Sequence, residues 1–294
     1  MLCLTGSVDA EEAVTAVAQP MVVGVDGSES CLAAVDWAVD EAARHERPVR
    51  LVYGSFWERY EGLTSDAGLD RPDGGTLGRE VLAAAERRAA GRGPAVEVST
   101  AARAEPPVRA LVEEGRSAFA VVVGSRGRGP LASMMLGSVS LGVAGRADCP
   151  VVVVRGTRAT PAGRRVVLGV RGAERDAEAL EFAFREAEVR SCGLLALHAW
   201  RPTTDAARAA DEAAARALLD DALARAAERH PGVRVTRDIA EGPARPALLG
   251  AAEAADLLVV GAHRRRGEDG LHLGLTGHAL LHFAACPVAV IPRP

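Results

Sequence analysis

Short continuous apolar runs recur along this chain, each followed by a longer stretch in which apolar residues return every three or four positions. Ala120-Val121-Val122-Val123 and Val151–Val154 are apolar throughout. Such runs read as strands buried on both faces, which is the habit of a parallel sheet covered by helices. In the first half the pattern predicts strands over Pro20–Asp26, Val49–Phe56, Ala95–Ala101, Ala120–Gly124 and Val151–Arg155. Helices are predicted over Glu29–Arg44, with Ser28 or Ser30 as N-cap, over the Ala-rich Leu77–Arg92, and over Pro106–Glu114, where proline opens the helix at a tolerated position. Alternating strands and helices of this kind predict a doubly wound α/β fold. Ligands in such folds sit outside the carboxyl ends of the strands, where the strand order reverses.

The chain then reads itself a second time. Val23-Gly24-Val25-Asp26-Gly27 aligns with Leu168-Gly169-Val170-Arg171-Gly172 at an offset of 145 (168 − 23), which also pairs Trp37 with Phe182, Tyr53 with His198 and Gly54 with Ala199. Val121–Gly124 aligns with Leu258–Gly261 at an offset of 137 (261 − 124), pairing Gly137 with Gly274 and Cys149-Pro150-Val151 with Cys286-Pro287-Val288. A period this long means duplication of a whole domain rather than a solenoid of short units. The second half runs from Arg165 to Pro292, and its longest helix is expected over Asp205–His230. The implied organisation is a tail at 1–19, a first domain at 20–155, a Thr/Ala/Pro/Gly/Arg linker at 156–163 and a second domain at 164–294.

Composition narrows the chemistry. The 294 residues suit two domains, and a net charge of −4 argues against a general nucleic-acid binder. No apolar stretch reaches the roughly 18 residues of a membrane helix. The acidic start has no basic n-region and makes a poor signal peptide. Five cysteines without a CxxC spacing fit reduced thiols, and with these features a cytoplasmic location is expected. Cys149 and Cys286, each before a proline and a Val-rich strand, are read as packing residues. Every basic side chain besides histidine is arginine, because the chain has no lysine. Schiff-base chemistry, a Walker-A lysine and a kinase lysine are thereby excluded.

The most informative stretch follows the fourth strand: Gly124-Ser125-Arg126-Gly127, nine residues, then Gly137-Ser138 opening a helix. Glycines there let the backbone approach a ligand, and free N–H groups with a hydroxyl at a helix start suit an anion. The stretch is neither a P-loop nor the Gly-x-Gly-x-x-Gly dinucleotide fingerprint. Its spacing, Gly-x2-Gly-x9-Gly-Ser, resembles the ATP-binding signature of the universal stress protein family, and the resemblance spans nearly all of 20–155. It implies strand order 3-2-1-4-5, a crevice between strands 1 and 4, and ATP as the ligand, with Mg²⁺ as accompanying ion. Carried onto this sequence, the contacts fall on Gly24, Val25 and Asp26 after the first strand. Gly54 would lie against the adenine. Val123, Gly124, Arg126 and Gly127 would pass under the phosphates, and Gly137, Ser138, Val139 and Ser140 would hold them. Asp26 can accept from a ribose hydroxyl or an adenine amine; Arg126 and Arg128 either screen phosphate or stand solvated. The resemblance also implies that the fifth strands of the two halves pair, giving a dimer-like arrangement within one chain; further homodimerisation is left open.

The duplicate keeps the frame and loses the chemistry. Asp26 becomes Arg171, Gly127 becomes Arg264, and Ser138 becomes Leu275, with Thr276 one residue out of place. A cation that cannot accept, a filled approach path and a lost hydroxyl each oppose nucleotide binding. The expectation is one ATP site, in the first half, with a different anion held by Arg171, Arg264 and His263 as the alternative for the second. His278 and His282 have the i,i+4 spacing of metal ligands, but without an acidic or cysteine partner in a known motif they read as surface or packed histidines, and no metal site is assigned. The function expected is an ATP-binding regulator in stress adaptation with no catalytic residues, since Arg126, Arg128, Ser133 and Ser138 bring no acid to the γ-phosphate. Slow ATP hydrolysis and a nucleotide-free interaction module are the alternatives.

Overall fold

The computed structural model describes residues 18–55, 74–127, 136–155, 165–262 and 273–293. The expected linker, most of the N-terminal tail, and Arg128, Ser133, His263, Arg264 and His272 lie outside the described residues. The first half contains β1 (Met21–Gly24), α1 (Glu29–Arg44), β2 (Val49–Gly54), α2 (Gly74–Arg92), β3 (Val98–Arg103), α3 (Pro107–Gly115), β4 (Ala120–Gly124), α4 (Ser138–Ala144) and β5 (Val151–Val154). The second half repeats the order with β6 (Arg165–Gly169), α5 (Ala177–Val189), β7 (Gly193–Trp200), α6 (Arg208–Arg229), β8 (Val235–Glu241), α7 (Ala244–Ala252), β9 (Leu257–Gly261), α8 (Leu275–Phe283) and β10 (Val288–Ile291).

Two boundaries differ instructively from the sequence pattern. β1 ends at Gly24 rather than Asp26, because the Asp26 carboxylate turns the chain by accepting from the Ser28 N–H (2.9 Å) and hydroxyl (2.7 Å). β3 starts at Val98 rather than Ala95, because Val96 N–H donates to the Gly93 carbonyl (3.0 Å) and closes a turn there.

All ten strands form one sheet in the order β3-β2-β1-β4-β5-β10-β9-β6-β7-β8. Each half is parallel with strand order 3-2-1-4-5. The halves join where β5 and β10 run antiparallel, with Ala289 opposite Val152. The valines of β5 and the residues of β10 are buried on both faces, as the continuous apolar runs require. One apolar layer packs α1, α2, α5 and α6 onto the sheet and the other packs α3, α4, α7 and α8. α1 shows how the sequence sets this up. Ser28 caps it by accepting from the Cys31 N–H at 3.2 Å, and Ala34, Val35, Ala38, Val39 and Ala42 form its buried stripe. No helix among the described residues is long and apolar enough to cross a membrane.

Phe184, fully buried on α5, anchors the layer on its side of the sheet. Phe184→Ala is expected to lower unfolding free energy by about 3–5 kcal/mol, checked by urea titration followed by circular dichroism.

Candidate functional site

β1 and β4 lie side by side while their connections leave to opposite sides, so a crevice opens at their carboxyl ends. The cleft there has a volume of about 140 Å³ and is open to solvent. It brings together every residue expected from the sequence: Gly24, Val25, Asp26, Gly54, Val123, Gly124, Arg126, Gly127, Gly137, Ser138, Val139 and Ser140. Cys31, Val52, Pro107 and Leu111 complete the lining, and nothing in the sequence pattern singled them out. Pro107 and Leu111 arrive from α3, one helical turn apart, so only the packing of α3 against β1 and β2 brings them in.

The lining divides by chemistry. Val25, Val52, Leu111, Val123 and Val139 make an apolar wall. The polar part of the lining comes from Asp26, Arg126, Ser138 and Ser140, with glycines at 127 and 137. One Asp26 oxygen is taken up by Ser28; the other faces Gly127, where a Cβ would stand 3.2 Å from it. Ser30 accepts from Arg126 N–H at 3.0 Å, and Gly137 N–H donates to the Ser125 carbonyl at 2.9 Å, so both ends of the loop are tied to the fold. Ser140 is buried and donates to the Gly124 carbonyl at 2.6 Å, which ties α4 to the end of β4. Its hydroxyl is therefore spent within the protein, leaving Ser138 as the hydroxyl at the mouth of the helix.

The glycines serve two purposes that the sequence could not separate. A Cβ on Gly124 would fall 2.4 Å from Ser30 Oγ and 2.6 Å from its carbonyl, and one on Gly54 would fall 2.8 Å from Pro107 Cα. Both are glycine because the protein's own backbone comes that close. Gly137 differs: its φ of −63° suits any residue, and a Cβ there would keep 3.6 Å from Ser140 Oγ. Space at Gly137 belongs to the cleft.

Charge at the mouth is positive. Arg155, at the end of β5, donates to the Leu281 carbonyl of α8 at 2.9 Å, and burial together with the nearby Arg126 charge pulls its guanidinium below its usual range. Cys31, in the first turn of α1, is a buried thiol held above its ordinary value by burial and by Asp26.

In the second half the equivalent crevice is closed from within. Arg171, standing where Asp26 stands, is paired to Asp176 at 2.8 Å and donates to the Gly261 carbonyl at 3.2 Å. Asp176 is buried and also accepts from Arg171 N–H (2.6 Å) and Gly172 N–H (3.2 Å). It occupies the repeat position of Cys31 (31 + 145). The carboxylate has moved from the strand end to the helix, and its partner fills the crevice. Leu275 is 92% exposed, and the His278 and His282 rings meet at a tilt of 33° with centroids 4.5 Å apart on α8.

Comparison with known proteins places this arrangement. The chain matches the universal stress protein family over residues 18–155 and again over 163–292. It is 33% identical to a universal stress protein of Mycolicibacterium smegmatis, covering 93% of this chain and 97% of that one. It is 35% identical to a universal stress protein of Mycobacterium tuberculosis, covering 92% and 96%. Its fold is similar to the crystal structure of a universal stress protein from Archaeoglobus fulgidus, with a TM-score of 0.70, 19% identity and coverage of 94% of this chain and 98% of that one. With two full matches in tandem and near-complete coverage by relatives, the chain belongs to the universal stress protein family.

Proposed function

We propose that the chain binds one adenine nucleotide, ATP accompanied by Mg²⁺, in the cleft of its first domain (20–155), and that its second domain (164–294) binds none. The observation that carries this reading is the contrast between two equivalent crevices. One gathers a carboxylate, apolar side chains and the glycines on either side of a loop that opens a helix; the other holds the Arg171–Asp176 ion pair. In the first, the wall of Val25, Val52, Leu111 and Val139 takes the base, beside Gly54. Asp26 accepts from a ribose hydroxyl. Gly127 and Ser138 donate to phosphate oxygens, and Arg126 and Arg155 offset their charge. Asp26 is the single carboxylate among the described lining residues, and one of its oxygens is engaged by Ser28. Mg²⁺ is therefore held chiefly through phosphate oxygens and water, with the Ser138 hydroxyl within the same mouth.

The same scarcity of acids supports a binding protein over an ATP-hydrolysing enzyme, which needs a group to orient the attacking water. We infer a regulator: ATP selects one arrangement of the loop after Gly127 and so alters the surface seen by a partner during stress adaptation. Free thiols at Cys31, Cys149, Cys192 and Cys286 support a reducing, cytoplasmic setting.

Isothermal titration with ATP and Mg²⁺ is expected to give one site per chain; two sites, or none, would refute the reading. Asp26→Ala should weaken ATP at least about tenfold through loss of a charged hydrogen bond, and should also lower unfolding free energy by about 1–2 kcal/mol through loss of the bonds to Ser28. The glycines give a sharper contrast. Gly137→Val should abolish ATP binding with a stability change within about 0.5 kcal/mol, because the side chain enters only the cleft. Gly124→Ala should cost about 1–3 kcal/mol in nucleotide-free protein, measured by thermal denaturation, because it strikes the first turn of α1.

A further inference from the structure

The repeat brings two acidic residues together in the dry interior. Glu41 on α1 and Glu186 on α5 are equivalent at the offset of 145, and each falls on the otherwise apolar buried face of its helix. The antiparallel seam of β5 and β10 turns the carboxyl ends of these helices toward each other, and the two carboxylates meet there with side chains 1% exposed. The residues after them are equivalent too: His45 is the C-cap of α1 and Arg190 the C-cap of α5. The duplicated interface thus surrounds a carboxylate pair with one permanent cation and one titratable ring.

The bonding divides accordingly. Arg190 bridges the pair on one side, donating to Glu41 Oε2 at 2.7 Å and to Glu186 Oε2. On the other side His45 Nε2 stands 3.0 Å from Glu186 Oε1 and 3.2 Å from Glu41 Oε1. Glu41 Oε1 is buried and has no hydrogen-bond partner. Nε2 carries a hydrogen toward the two oxygens in either charge state, but only the protonated ring, with a second hydrogen on Nδ1, also brings a full positive charge to the pair. The remaining surroundings do not replace it. Arg44 reaches Glu41 Oε2 at 2.9 Å but is 40% exposed, so water screens its charge. Phe119 covers the His45 ring at 4.9 Å, and Arg47 lies over Phe119 at 4.3 Å, with the Arg185 charge close enough to disfavour its own. Cys192 lies beside Arg190. Two helix carboxyl ends add about half a negative charge each, so with Arg190 as the one buried guanidinium on the pair among the described residues, the site keeps a negative excess.

We propose that the positive charge of a protonated His45, set against the buried Glu41 and Glu186 carboxylates, fastens the two domains, so that the α1–α5 interface loosens as pH rises above neutrality and is re-formed as pH returns to neutral. Three ligand atoms within 4.8 Å of one another would also suit a metal ion. A metal ion would have to share both carboxylates with Arg190, which already holds the two Oε2 atoms, whereas a protonated ring adds to that arrangement without displacing it.

The titration has a definite sign. Burial works against a charged His45, but the hydrogen bonds and charges of Glu186 and Glu41 outweigh it and push the ring from 6.5 up to about 9. Glu41 is also pushed up, by burial and by the charge of Glu186, so the proton belongs to the cluster as a unit. In an opened interface the histidine returns to its ordinary value. The fastening is therefore complete below about pH 6.5, is lost progressively as pH rises toward about 9, and is absent beyond.

Hydrogen exchange of the full chain in the presence of a chelator tests this, with intrinsic exchange rates factored out. Protection of amides in the last turns of α1 and α5 is expected to fall by up to about tenfold per pH unit between about pH 6.5 and about pH 9, then level off, while the centres of β2 and β7 keep theirs. His45→Arg, which mirrors Arg190, should abolish the slope and keep protection high. His45→Gln should be equally flat but low. A flat wild-type profile would overturn the proposal, as would a slope that persists in His45→Gln. So would protection above pH 9 that zinc restores and the chelator removes, which would make the cluster a metal site.

Discussion

The seam between β5 and β10 is the constraint on which the rest of the molecule depends. Each half ends its sheet in a strand that is apolar on both faces, and such an edge is not stable against water or aggregation until another strand pairs with it. Here the partner comes from the same chain, and its antiparallel direction relates the halves by an approximate two-fold axis. Everything that joins the halves follows from that axis. On one face it presses the ends of α1 and α5 together around buried charge. On the other it lets Arg155 from β5 reach the Leu281 carbonyl of α8.

α1 connects the two features with chemical interest. Its N-terminal end supplies Cys31 to the cleft and ties Asp26 and Arg126 in place through Ser28 and Ser30, and its C-terminal end supplies Glu41 and His45 to the interface. Substitutions at either end are therefore constrained twice, once by the sheet they pack on and once by what they face. The second half records the outcome of relaxing one of those constraints. Arg171 at the strand end removes an acceptor, and Asp176 in the first turn of α5 returns a carboxylate that satisfies both it and the Arg171 and Gly172 amides. The pair fills its crevice without leaving a buried charge alone, so the fold survives the change of chemistry.

Much of the fold was legible because its signals are local. Continuous valine runs, a capping serine and proline at a helix start each act within a few residues, and the repeat showed that the pattern was used twice. The glycine loop after β4 was legible as a cleft for the same reason: it follows a strand and opens a helix. Yet Gly124 proved to be glycine on account of Ser30, 94 positions earlier in the chain (124 − 30), and Pro107 and Leu111 entered the cleft only through α3. A single sequence contains no marker for such approaches.

The sequence by itself determined the elements, the duplication, and the loss of Asp26 and Ser138 equivalents from the second half, since these are properties of residue type and spacing. Tertiary structure alone decided what fills the second crevice and what becomes of Glu41 and Glu186. An acid on an apolar helix face means nothing until its partners are known. Here those partners lie roughly 145 residues away, across a two-fold axis that only the pairing of β5 with β10 creates.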